Sequence, residues 1–163
     1  MKKIDYRNAF FDELVKIGIK DKNVIFLSVD TDADSLKIFK KKFPERFVNT
    51  GVAEQETINL AAGLALSGKK VFIYSLLPFI TMRCFEQIKI NICGLKLPIT
   101  IIGLGTGLSF SYYGPAGHGV IDIGLMRMLP ELKILNPADP FSASKFARIA
   151  YKSKDPVYIR LHK

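Results

Sequence analysis

The sequence is poor in the side chains that bind metals or cross-link a chain. Its only cysteines are Cys84 and Cys93, and its only histidines are His118 and His162, among 163 residues. The cysteines lie in one expected helical segment, at a spacing that suits neither a C-x-x-C metal or redox motif nor a disulfide framework. Both are expected to be reduced thiols in the core or at an interface. Two histidines and two distant cysteines are a poor ligand set for zinc. No run of about 18 apolar residues occurs, and the opening MKKIDYRNAF lacks the apolar centre of a signal peptide. A soluble, cytoplasmic chain with no membrane association is expected.

Phosphate-binding and nucleic-acid signatures are also missing. The glycines at 103, 105 and 107 do not make a G-x-G-x-x-G fingerprint, and no G-x-x-x-x-G-K-[ST] loop is present. A formal net charge of +9 raises the question of anionic partners. The basic residues are spread along the chain, however, and the one dense run, at 37–46, reads as the solvated face of an amphipathic helix. No RNP-like aromatic motif, zinc-finger spacing or basic heptad accompanies it, which argues against a nucleic-acid partner.

What is present is a regular alternation of apolar strands and amphipathic helices, without repeat, low-complexity tract or linker. Strands are expected at 24–30, 47–50, 70–75, 97–105, 133–135 and 156–161. Helices are expected at 4–20, 34–43, 53–67, from Pro78 to about 95, at 120–128 and at 141–152. The 48% hydrophobic content over this length suits one domain with a full core. Alternation of this kind predicts a three-layer α/β fold, a mainly parallel sheet with helices on both faces, and a site at the strands' carboxyl ends.

The stretch at 47–68, FVNTGVAEQETINLAAGLALSG, stands out. Apolar residues recur at helical spacing from Ala53 through Ile58, Leu60, Ala61, Ala62, Leu64, Ala65 and Leu66, which predicts a helix buried on most of its faces. Glu54 stands in its first turn. It is either a partner of the helix dipole, worth about 0.3–1 kcal/mol, or a carboxylate held in a dry pocket for chemistry. Asp30, Asp32 and Asp34 crowd one loop, read as caps and turn residues. The lack of an EF-hand glycine and closing glutamate argues against a metal there, while Asp30 ends a strand where ligand groups gather. Phe79 and Met82 are core residues or part of a stacking platform. The glycine-rich segment between Gly103 and Gly119 is long enough to be a functional loop, and His118 is its one side chain that titrates near neutrality.

Taken together, the strings RNAFFDEL, VIFLSVD, FPERFVNTGVAEQETINLAAGLALSGKKVFIYS, PFITMRCFEQIK, GPAGHGVIDIGLMRMLP, ILNPADP and PVYIRL resemble the pyrimidine-binding domain of the transketolase family of thiamine diphosphate enzymes. GVAEQ followed by AAGLA is the specific part. The resemblance implies that Glu54 hydrogen-bonds a ring nitrogen of the cofactor's aminopyrimidine and shares a proton with it, so that the cofactor can lose the proton of its thiazolium carbon. Burial disfavours the charged form of a carboxyl, and the ring supplies the partner that a buried polar group needs. It further implies that Phe79, Leu76 and Met82 line the pyrimidine pocket and that Asp30 lies near the cofactor. Gln55 and Arg83 also match family positions, with no role assigned to either.

Two departures from the family pattern matter. Where relatives usually read GPTH or GPTHH, this chain has GPAGHG, placing Gly117 at the first histidine and His118 at the second. His118 is the candidate to take over contacts with the sugar. No GDG motif occurs, so the Mg²⁺ and diphosphate are expected on another chain or domain, and the family's C-terminal domain is likewise expected to be absent from this chain. The chain is therefore expected to hold half a site and to be inactive alone, either as a fragment or as a subunit of a split enzyme, in a homodimer or hetero-oligomer. The implied activity is transfer of a two-carbon ketol unit between sugars, from a ketose to an aldose, with a sugar phosphate or related small molecule as substrate. The alternatives are 1-deoxyxylulose-5-phosphate synthase, the beta subunit of a 2-oxoacid dehydrogenase, or a non-catalytic assembly module.

Overall fold

A computed structural model describes residues 5–162 of the chain. The first helix, α1 (Tyr6–Lys20), is capped by the Asp5 side chain, which accepts from the Arg7 N–H; the helix start expected at Ile4 lies outside the described residues. Then follow β1 (Val24–Ser28), α2 (Asp34–Lys42), β2 (Phe47–Asn49), α3 (Glu54–Leu66) and β3 (Lys70–Leu76). A helical segment over 79–93 leads to β4 (Thr100–Leu104), and it contains the single α-turn α4 (Phe85–Gln87). The chain closes with α5 (Asp122–Met126), β5 (Lys133–Leu135), α6 (Pro140–Lys152) and β6 (Val157–Leu161).

All six strands are parallel, in the order β2-β1-β3-β4-β6-β5. The chain moves outward from β1 to β2, then returns past β1 to β3. That reversal leaves a crevice at the carboxyl ends of β1 and β3, the place where open α/β sheets hold ligands. Alternation along the strands feeds two cores. Phe26, Phe72, Tyr74, Ile102 and Ile159 face Phe10, Leu14, Phe39 and Ala147 of α1, α2 and α6. Leu27, Val71, Ile73, Ile101 and Tyr158 face Ile58 and Ala61 of α3, the 80–93 segment and Met126 of α5.

Three elements differ from the sequence-based reading. The basic run 37–46 is not one solvated helical face. Helix α2 stops at Lys42 because Pro44 disfavours helical geometry at the residue before it, and Phe43 leaves the helical region at φ −136°, ψ 61°. The buried Arg46 side chain then donates to the carbonyls of Gly18 at 2.9 Å and Asp21 at 3.0 Å. The segment after Pro78 is π-helical at Phe79–Arg83 and Ile88–Cys93 on either side of α4. Its core residues Ile80, Cys84, Ile88 and Ile92 recur every fourth position. An α-helix would turn such a stripe away by about 40° per step, and the wider turns pull it back onto the sheet. Finally, α3 buries one face only, through Glu54, Thr57, Ile58, Ala61 and Ala62. Leu60 and Leu66 are exposed, since the helix forms the outer layer with none of the described residues packed beyond it.

Among the described residues no helix is long and apolar enough to cross a membrane. The two cysteines are free and buried.

Candidate functional site

The turn between β2 and α3 is fastened to the end of β1. The Thr50 N–H donates to the Ser28 carbonyl at 2.9 Å, and the Thr50 and Thr57 hydroxyls are 2.7 Å apart. Gly51 takes φ +69°, a left-handed conformation that glycine adopts without steric cost. The chain thus enters α3 with Glu54 as its first helical residue. Glu54 is 3% exposed yet borders an open cleft of about 400 Å³ lined by Val52, Gln55, Asn59 and Arg83. A carboxylate at this end also lies where unpaired backbone N–H groups favour negative charge.

Arg83 completes this corner. Its Nη1 donates to Glu54 Oε2 at 2.8 Å, and its Cζ lies 4.6 Å from the centroid of the Phe79 ring. The Gln55 side-chain amide donates to the Arg83 backbone carbonyl at 3.2 Å. The fold therefore brings Glu54, Phe79, Arg83 and Gln55 together from two elements 29 positions apart. The neighbouring Cys84 thiol is pushed up to about 12, first by burial and then by the Glu54 carboxylate.

The other residues singled out from the sequence take different places. Asp30, exposed and at φ +45°, hydrogen-bonds Asn49: its N–H donates to Asn49 Oδ1 at 3.1 Å. It lines a separate cleft with Ser28, Thr31, Lys37, Lys40 and Phe47. Asp32 and Asp34 pair with Lys37, and among the described residues no group of three or more His, Cys, Asp or Glu side chains gathers as a metal site. Leu76 packs on the α1 side of the sheet, with the core opposite to that of α3. Met82 is exposed beside Arg83. A further cleft between α1 and α6, lined by Glu13, Lys16, Lys20, Arg148 and Lys152, contains none of the residues singled out above.

His118 lies in the glycine-rich loop, which is tightly folded. Gly107 and Gly119 exchange two backbone hydrogen bonds of 2.8 Å. A Cβ on Gly117 would approach the Phe110 carbonyl oxygen to 2.4 Å and the Tyr113 Cβ to 2.8 Å. A histidine at 117 is therefore sterically excluded by this loop conformation. Behind the loop, a buried network missed in the sequence ties it to the sheet. Arg160 Nε donates to Asp122 Oδ2 at 2.5 Å, the Tyr158 hydroxyl donates to the same oxygen at 2.8 Å, and Arg160 Nη1 donates to Asn136 at 3.2 Å. The signal was an acid inside VIDIGLM and an arginine inside the apolar strand PVYIRL, since a charge there must be paired.

A doubly wound parallel α/β domain with a buried carboxyl and an aromatic ring at its strands' carboxyl-end crevice defines a small-molecule or cofactor-binding class. Residues 2–163 match the family described as transketolase, pyrimidine binding domain, and the chain belongs to it. Over 156 residues it is 31% identical to an apulose-4-phosphate transketolase subunit of Phocaeicola vulgatus, covering 95% of this chain and 50% of that protein. It is 33% identical to the 1-deoxy-D-xylulose-5-phosphate synthase of Oleidesulfovibrio alaskensis, covering 95% of this chain and 24% of that protein. The solved structure of a split gene transketolase, described as an inactive beta4 tetramer, superposes with a TM-score of 0.85 at 34% identity, covering 98% of this chain and 52% of that one. The chain thus spans about half or less of the length of these relatives.

Proposed function

We propose that the chain is the pyrimidine-binding half of a thiamine diphosphate-dependent, transketolase-like enzyme that moves a two-carbon ketol unit between sugars in the cytoplasm. The observation that carries this reading is Glu54, 3% exposed at the mouth of α3 beside the Phe79 ring. A buried carboxyl with an aromatic face next to it fits a flat, stacking heterocycle that needs an in-plane hydrogen bond. The cofactor, when bound, supplies the nucleophilic carbon that cleaves and remakes the bond next to a ketose carbonyl.

Within this chain, Glu54 holds a proton at the ring nitrogen, and Phe79 orients the ring by stacking, worth about 0.5–1.5 kcal/mol beyond area. Met82, exposed beside Arg83, flanks the ring, whereas Leu76 on the α1 side of the sheet and Asp30 in its separate cleft stand apart from Glu54 and Phe79 and are not assigned to the pocket wall. His118 contacts the sugar in place of the histidine that Gly117 excludes. The diphosphate and Mg²⁺ belong to a partner chain or domain docked over the crevice, where Val52 is 72% exposed. Isothermal titration of thiamine diphosphate with Mg²⁺ into the chain mixed with a diphosphate-binding chain of the family tests the reading. One cofactor bound per pair is the expected result. A complex that forms and binds none would identify a non-catalytic assembly module instead.

A further inference from the structure

The ion pair at the mouth of α3 conflicts with the role proposed for Glu54. A carboxylate that accepts from a guanidinium has no proton to share with a heterocycle. Nη1 of Arg83 donates to Glu54 Oε2 at 2.8 Å, and the same guanidinium lies over the Phe79 ring with Cζ 4.6 Å from its centroid. One planar group therefore occupies both the carboxyl and the aromatic face that an aminopyrimidine would need.

We infer that Arg83 is a stand-in for the cofactor's aminopyrimidine, occupying Glu54 and Phe79 until the ring displaces it. This rests on the cofactor-binding reading of those two residues. The chemistry of the two groups is alike where it matters: both are flat, both stack on aromatic faces and both hydrogen-bond in their own plane. The arrangement also meets a physical need. Glu54 is 3% exposed, and a buried carboxylate with no partner is costly; the Arg83 guanidinium supplies that partner.

Arg83 is built to leave. Its side chain is 46% exposed, against 3% for that of Glu54, so the guanidinium can swing into water without opening the core. The Gln55 amide holds the Arg83 backbone carbonyl at 3.2 Å, fixing the main chain while the side chain moves. The buried neighbours Ile80 and Cys84 anchor the π-helical turn on the sheet. Apparent affinity for the ring is then reduced by the fraction of chains in which Arg83 covers the site.

The test is binding of 4-amino-2,5-dimethylpyrimidine to the full chain, followed by NMR shifts of the Phe79 ring. Arg83→Met keeps the apolar stem and removes the guanidinium, and should bind the probe about tenfold more tightly than the native chain. Arg83→Lys keeps a charge but loses the plane over Phe79, so its affinity should fall between the two; it decides the matter should the methionine variant fail to fold. Adding Glu54→Gln should abolish the gain. Equal affinity of the native and Arg83-substituted chains, with Glu54 still required, would overturn the stand-in and leave the cofactor reading intact. Probe binding indifferent to Glu54 in every variant would overturn both.

Discussion

At the scale of single residues, burial and exposure divide the site's chemistry. Glu54 was legible because a carboxylate in the first turn of an apolar helix is a local feature of the string. Arg83 had no such signal: its partners lie four and 29 positions away, and only the packing of the segment after β3 against α3 joins them. Gly117 reads as a missing histidine in the sequence and as a steric requirement in the structure, because a Cβ there would meet the Phe110 carbonyl at 2.4 Å. The two thiols give a direct check on burial. Burial pushes Cys84 up to about 12 and Cys93 up to about 11, so neither forms thiolate at pH 8. A thiol-disulfide reagent at that pH should leave the native chain unlabelled and modify both cysteines in guanidinium; rapid labelling of the native chain would contradict the packing described.

At the scale of elements, the period of the apolar pattern placed all six strands and the helices between them, with boundaries shifted by a few residues. It could not distinguish an α-helix from the π-helical turns at Phe79–Arg83 and Ile88–Cys93. A stripe at every fourth residue lies between the two periods, and the sheet beneath decides. Nor could charge alone show that Arg46 turns inward, since its acceptors are the carbonyls of Gly18 in the last turn of α1 and of Asp21 just after it. The loop carrying His118 depends on the buried Asp122–Arg160 pair, with Arg160 Nη2 also reaching the Gly119 carbonyl at 3.4 Å. Asp122→Ala leaves Arg160 without its carboxylate, and should lower stability by about 3–5 kcal/mol, read as a shift of the urea midpoint. Amide exchange at Gly107 and Gly119 should quicken in the same variant.

At the scale of the whole molecule, the alternation of elements predicted the layers but not the strand order. Where the chain reverses is set by which faces the crossovers cover, and that reversal creates the crevice. The outer face of α3, with Leu60 and Leu66 exposed, belongs to the same logic. A sequence rich in small apolar residues there reads as buried, and within this chain it is not.

Long-range pairing also shapes the response to acid. Glu13, between α1 and α6, is raised by burial but lowered more by Arg148 at 3.0 Å and Lys16 at 3.3 Å, so its folded value lies below the usual carboxylate range. Its contribution to stability is therefore complete above the unfolded value of about 4.3 and is lost as pH falls through the folded one. Glu13→Gln should lower the urea midpoint at pH 7, and the difference from the native chain should shrink as pH falls through the folded value of Glu13; a difference that did not shrink in acid would contradict the pairing.

The central claim is that Glu54 activates a cofactor held between this chain and a partner. The most direct measurement is turnover of the chain assembled with a diphosphate-binding partner, thiamine diphosphate and Mg²⁺, with and without Glu54→Ala. Loss of a positioned acid–base group costs about 10²–10⁴-fold, and the account predicts a drop of at least that size with the assembly intact. Normal turnover by the alanine variant would contradict it.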